Sequence, residues 1–274
     1  MRHSRGAAAE AHSRGAAAEA RLSSRVSAAQ PHRKPLVLVA HGSRDPRAAR
    51  STRALARAVG AARSDIRVET AFLDFEAPGL ISALSREADR GQRAATVVPL
   101  LLIAAYHGRV DVPGEIEKAA GLGLAIGLAP VLGPVGGARS DAVALDLVVR
   151  ALQRRLAEAF VMPVDGVVLA AAGTRDESAL VTVDLVAQVL GEAVSVPCLA
   201  GYASGVGGAT AEAVRALQAG GAERIAVASY FLAPGLLYDR AVADALAAGA
   251  MGAAAPLGDA PEIAELVLER ANTA

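Results

Sequence analysis

Tryptophan is absent from this chain, cysteine occurs once, and aromatic residues make up only 3% of its 274 positions. A single cysteine, Cys198, excludes an internal disulfide and a cluster of thiolate metal ligands. It reads as a small buried hydrophobe and is compatible with a reducing, cytoplasmic setting. An excess of charge of either sign is also lacking, since 28 basic and 28 acidic side chains cancel. No global attraction to nucleic acid follows, and there is no interleaving of aromatic and basic residues on which single strands stack. No segment combines 18 apolar residues with freedom from charge, so neither a nucleic-acid nor a membrane partner is expected. The motifs HExxH, GxxxxGK(S/T) and GxSxG are missing, which weakens the case for a zinc protease, a P-loop enzyme or a serine hydrolase. No early strand followed by GxGxxG supports a dinucleotide fold. Gly205-Val206-Gly207-Gly208 instead reads as a loop before a helix that begins near Thr210.

What is present is a hydrophobic content of 53%, with 27 glycines, so the cores must be built from Ala, Val and Leu. Residues 1–33 stand apart: HSRGAAAEA occurs at 3–11 and again at 12–20, low-complexity sequence read as a disordered tail. It holds His3, His12 and His32, and it lacks the continuous apolar stretch of a secretory signal. Beyond it, short apolar runs alternate with Ala-rich amphipathic segments. Strands are expected at Leu36–Ala40, near Ile66–Leu73, at Thr96–Ile103 and near Leu124–Pro130. Helices are expected at Pro46–Ala62, with Leu55 and Val59 sharing a face, at Pro78–Arg90, from Val112 to Gly121, and at Ser140–Phe160. This alternation implies an α/β fold with parallel sheets covered by helices.

The order then repeats. VVLAAAGTRDESA at 167–179 echoes LVLVAHGSRDPRA at 36–48. RIAVASYFLAPGLLYDR at 224–240 echoes the run leading into His107, and APLGDAPEIAELVLERA at 255–271 echoes the stretch beginning PVLGPVGG at 130. Two similar domains in tandem, 34–160 and 161–274, are the economical reading. The copies are unequal. Gly42-Ser43-Arg44-Asp45 survives as Gly173-Thr174-Arg175-Asp176, whereas His41 maps onto Ala172 and His107 roughly onto Leu237. Chemistry is therefore expected in the first half, with the second completing the pocket or stabilising the pair.

His41 and His107 are the histidines outside the tail, and each follows a buried apolar run. Imidazoles delivered to the carboxyl edge of a parallel sheet can hold a divalent metal or move protons near neutral pH. As an open pair they suit Fe²⁺, Co²⁺, Ni²⁺ or Zn²⁺ without choosing among them. Gly42 permits a tight turn, and Ser43 or Asp45 can cap the next helix. Arg44, Arg47 and Arg109 are cations suited to carboxylates. Asp74 and Glu76 follow the second strand, and either could accept a proton or complete a metal shell. Asp111 could orient a ring nitrogen or cap the helix that Pro113 begins.

HGSRDPR, AFLDFEAPGL at 71–80 and VPLLLIAAYHGRVDVP together resemble the sirohydrochlorin chelatase and cobaltochelatase family of class II tetrapyrrole chelatases, in its two-domain form. The resemblance covers most of residues 36–271. It implies two tandem chelatase-like domains and ATP-independent insertion of Fe²⁺ or Co²⁺ into sirohydrochlorin, in sirohaem or cobalamin synthesis; of the two metals Fe²⁺ is the one expected here. It further implies His41 and His107 as the metal-handling pair, with Asp74 as the assisting carboxylate where relatives often carry Glu. Ala105 stands where glycine is frequent. Ser43, Arg44, Arg47, Phe72, Tyr106 and Arg109 are the expected contacts to the macrocycle. The metal would be a substrate rather than a permanent cofactor, and the protein a monomer or homodimer. The alternative from a different class is a carrier or sensor that binds metal or tetrapyrrole without turnover.

Overall fold

The computed structural model describes residues 34–103, 111–135, 141–205 and 207–274. The tail 1–33 and the expected site residues Tyr106, His107 and Arg109 lie outside the described residues. Two four-stranded parallel sheets form the frame. The first holds β1 (Leu36–Ala40), β2 (Val68–Phe72), β3 (Ala94–Pro99) and β4 (Ala125–Leu128) in the order β2-β1-β3-β4. The second holds β5 (Gly166–Ala171), β6 (Cys198–Tyr202), β7 (Ile225–Tyr230) and β8 (Gly252–Ala253) in the order β6-β5-β7-β8. The same order and sense in both sheets bear out the reading of tandem α/β units.

The helices are α1 (Pro46–Ala62), α2 (Leu80–Asp89), α3 (Val112–Lys118), α4 (Ala142–Ala159), α5 (Glu177–Val194), α6 (Thr210–Ala219), α7 (Leu236–Ala247) and α8 (Pro261–Asn272). Strand alternation sorts the apolar residues between two faces. In β1, Leu36 and Leu38 enter a core shared with β5 residues Val167 and Leu169, while Val37 and Val39 face outward onto Leu80 and Leu84 of α2. In β5, Val168 and Ala170 likewise turn outward, onto Val214 and Leu217 of α6. The shared core is filled by Leu55 of α1, Leu152 of α4, Leu190 of α5 and Ile263 of α8, all fully buried. Each such side chain contributes about 1.5–3 kcal/mol relative to exposure. Cys198 packs at the edge of this core, and burial pushes its thiol up to about 12.

The closing helices are exchanged between the halves. The last helix, α8, packs on α1 and β3 of the first sheet, whereas α4, from the first half of the chain, packs on α5 and β7 of the second. Residues 34–274 consequently form one compact unit. Two polar clusters lock the exchange. Arg270 of α8 is buried and donates to both Asp141 carboxylate oxygens, at 3.1 and 2.6 Å, and to the carbonyls of Leu132 and Gly133. Arg154 of α4 grips Glu262 of α8 through Nε at 3.0 Å to each oxygen and Nη2 at 2.7 Å.

Among the expected boundaries that shift, two have a visible cause. β3 stops at Pro99 rather than Ile103, because its register with β1 ends at Val39↔Pro99 and Leu100 N–H closes on the Val39 carbonyl. Pro78 lies before α2 rather than in its first turn: its carbonyl accepts from Phe72 N–H at 2.9 Å, and Gly79 is the N-cap. No described helix is long and apolar enough to cross a membrane.

Candidate functional site

Four buried residues of β1 lead into His41, which is half-buried at the carboxyl edge of the first sheet. The chain turns there under tight constraint. Asp74 N–H donates to the His41 carbonyl at 2.9 Å, and a Cβ on Gly42 would lie 1.8 Å from the Asp74 carbonyl oxygen. Gly42 also has φ +96°, so both the space and the backbone require glycine. Ser43 Oγ then accepts from Asp45 N–H at 3.1 Å and shapes the turn. Asp45 is the N-cap of α1, accepting from Arg47 N–H at 2.8 Å.

Charge on this turn divides between two arginines. Arg47 wraps Asp45 through Nε and Nη2 and also donates to Asp239 of α7 at 2.5 Å. These hydrogen bonds hold the Asp45 carboxyl below its ordinary range and raise Arg47 further above its own. Arg47, expected to grip a substrate carboxylate, is thus a strut between the two halves of the chain, its positive charge matched by two protein carboxylates. Arg44 makes no ion pair among the described residues, and its guanidinium lies 5.3 Å from the centre of the Phe75 ring. Phe75 also meets the His41 ring edge-on, with centroids 6.5 Å apart and planes at 75°.

A cleft of about 660 Å³ opens over these groups, within the range of small-molecule sites. One wall is His41, Ser43, Arg44 and Phe75. The other comes from the β7–α7 connection, Phe231 and Pro234, and from the first turn of α7, Leu236, Leu237 and Tyr238. Phe231 and Tyr238 pack edge-to-face at 5.7 Å. Burial, reinforced by the Asp239 charge, pushes the Tyr238 phenol above its usual value. Leu236 is 81% exposed at the mouth. The second half therefore supplies an apolar wall opposite the first half's histidine.

Phe72 does not reach this cleft. It is 2% exposed, beneath the Arg53 guanidinium, and lines instead a smaller hollow of about 150 Å³ that it shares with His41, Gly42 and Leu55. Phe75, three residues on and 60% exposed, is the aromatic that the first half presents to the cleft. The sequence signal was the second phenylalanine of AFLDFEAP, but nothing local distinguishes the two rings. Asp74 adjoins His41 through the backbone, yet its exposed side chain lines a separate hollow with Asp111, Glu115 and Lys118. Glu76 is tied to Arg53 at 2.9 Å, so of the two candidate carboxylates Asp74 is the accessible one. Asp111 stands at the start of α3 without a side-chain cap hydrogen bond.

The CbiX family model matches residues 35–138 and, a second time, residues 166–274. The chain belongs to the CbiX family. The doubled match agrees with the two sheets. A sirohydrochlorin cobaltochelatase from Priestia megaterium is 30% identical over 86 residues, a stretch spanning 31% of this CbiX-family chain and 28% of that protein. SirB from Bacillus subtilis, solved with Fe³⁺, superposes with a TM-score of 0.71 at 23% identity, covering 88% of this chain and 94% of that one. A sirohydrochlorin chelatase SirB from Bacillus subtilis subspecies spizizenii, in complex with cobalt, gives 0.68 at 22% identity with the same coverage. At such identities the likeness is one of fold.

Proposed function

We propose that this CbiX-family protein inserts a divalent metal into sirohydrochlorin without ATP, with Fe²⁺ favoured over Co²⁺. One observation carries the reading. The strand–glycine–Arg–Asp turn is built twice in the same geometry, both His41 and its counterpart Ala172 line the one cleft, and only the first copy carries a histidine. The same backbone holds Ala172 in the other half, so the fold does not require the imidazole. The relatives, a sirohydrochlorin cobaltochelatase and two SirB structures holding Fe³⁺ or cobalt, support a metal and sirohydrochlorin as the substrates and leave the choice of metal to experiment.

The chemistry required is modest. A free macrocycle loses two pyrrolic protons as it gains M²⁺. His41, with His107 as its partner, presents the metal from one face and accepts protons. Asp74 assists as the carboxylate beside the His41 backbone. Arg44 pairs with a peripheral carboxylate, and Arg109 and Tyr106 are assigned to the same macrocycle. Holding ring and metal together removes much of the entropic barrier. The metal is substrate throughout.

The test mixes anaerobic protein, sirohydrochlorin and either Fe²⁺ or Co²⁺ without ATP and follows the absorbance change. His41→Ala and His107→Ala proteins are expected to retain their circular dichroism and lose most of the acceleration above the uncatalysed rate. Unchanged rates in both variants refute the assignment. The ratio of the two metal rates decides the metal preference.

A further inference from the structure

Phe75 sits in a conformation that its side chain disfavours. Its φ is +63°, in the left-handed region, where bulky residues are outliers, and its ring is 60% exposed rather than packed in a core. The internal duplicate supplies a control. Leu73 N–H donates to the Ala40 carbonyl at 3.0 Å, and Ala203 N–H to the Ala171 carbonyl at 2.9 Å. A Cβ on Gly42 or on Gly173 would lie 1.8 Å from the next carbonyl oxygen, that of Asp74 or Ser204. One residue further along, Phe75 corresponds to Gly205, whose φ is +94°. The fold accepts glycine here, as the half lacking the histidine demonstrates. The half with His41 carries phenylalanine instead, and its ring touches His41 and lies under Arg44.

Strain retained beside a reactive group, with no core to justify it, marks a functional residue. We propose that Phe75 is a substrate-contact residue: its ring and the Arg44 guanidinium form one shelf that receives the flat face and an edge carboxylate of the tetrapyrrole. The inference rests on the function proposed above and names the residues that recognise its substrate. A guanidinium lying over an aromatic ring keeps its in-plane N–H groups free for a carboxylate. The exposed ring supplies dispersion and stacking to an apolar macrocycle face.

The experiment titrates metal-free sirohydrochlorin by fluorescence quenching into wild type, Phe75→Gly and Phe75→Tyr, and measures KM and kcat for metal insertion. Phe75→Gly places in the first half what the second half has at Gly205, so its thermal midpoint is expected to stay near wild type. Its Kd and KM for the tetrapyrrole are expected to rise roughly tenfold, the order of one lost aromatic stacking contact. Its kcat at saturating tetrapyrrole should change far less, and Phe75→Tyr should restore binding. Wild-type affinity in Phe75→Gly, or a fall in kcat with KM unchanged, overturns the proposal. If wild type binds sirohydrochlorin in a Phe75-dependent way but inserts no metal, the insertion reading falls and the contact stands. If wild type does not bind it, both fall.

Discussion

Replacing Gly42 with alanine should damage both stability and activity, whereas the same change at Gly173 should damage stability alone. In each case the added Cβ would lie 1.8 Å from a carbonyl oxygen, against about 3.5 Å for an ordinary contact. The two backbones have φ +96° and +85°, which costs an alanine about 1–2 kcal/mol. Relieving the clash moves the turn away from its neighbour. At Gly42 that strains the Asp74 N–H bond to the His41 carbonyl, worth about 0.5–1.5 kcal/mol net. A destabilisation of roughly 1.5–3.5 kcal/mol follows for Gly42→Ala from the backbone penalty and the strained bond, and Gly173→Ala meets the same backbone penalty and clash. For a chain of this size it lowers the thermal midpoint by about 5–15 °C. Function should separate them. The Gly42 turn carries His41, and a displacement near 1 Å is enough to cost about 100-fold in rate. The Gly173 turn carries Ala172. The assay pairs thermal unfolding by circular dichroism with initial rates of metal insertion, both well below the lower midpoint. Equal activity losses in the two variants, or an active Gly42→Ala protein, would refute the argument that the first turn positions the reactive group.

The exchanged helices make two further claims. Arg270→Met leaves the Asp141 carboxylate inside the protein without its guanidinium and should destabilise by roughly 3–5 kcal/mol in urea denaturation; a loss below 1 kcal/mol would mean that α8 is held by apolar packing alone. The Arg154 guanidinium holds the Glu262 carboxyl below its ordinary value of 4.5, so the unfolded chain takes up this proton more readily than the folded one. Its contribution is full above that value and is lost as pH falls through the lower folded value. Midpoints measured between pH 6 and pH 3 should therefore fall less steeply for Glu262→Gln than for wild type, and parallel curves would contradict this.

The first half of the site was legible because its signals are local. The continuous apolar run Leu36–Ala40, a glycine directly after His41 and an Asp before Pro46 respectively specify a strand, a turn and a cap within a few residues. The duplication was legible for the same reason, since each copy writes its own strand and turn. Phe72 and Phe75 were not separable, because which ring meets the cleft depends on where β2 leaves its register with β1 at Ala40↔Phe72. Arg47 read as a cation suited to a substrate carboxylate; that it also reaches Asp239, 192 residues away, is a contact no local pattern shows.

Sequence by itself set the βα order, the parallel sheets, the unequal repeat and the position of His41 at a strand's end. These follow from side-chain period and turn stereochemistry, which act over a few bonds. Tertiary structure decided that α4 and α8 change places, that the Arg47 cation is matched by Asp45 and Asp239, and that Phe75 stands under Arg44 in the open cleft. Those outcomes depend on which surfaces meet when distant segments pack, and burial and pairing across such contacts have no counterpart in the local pattern of residues.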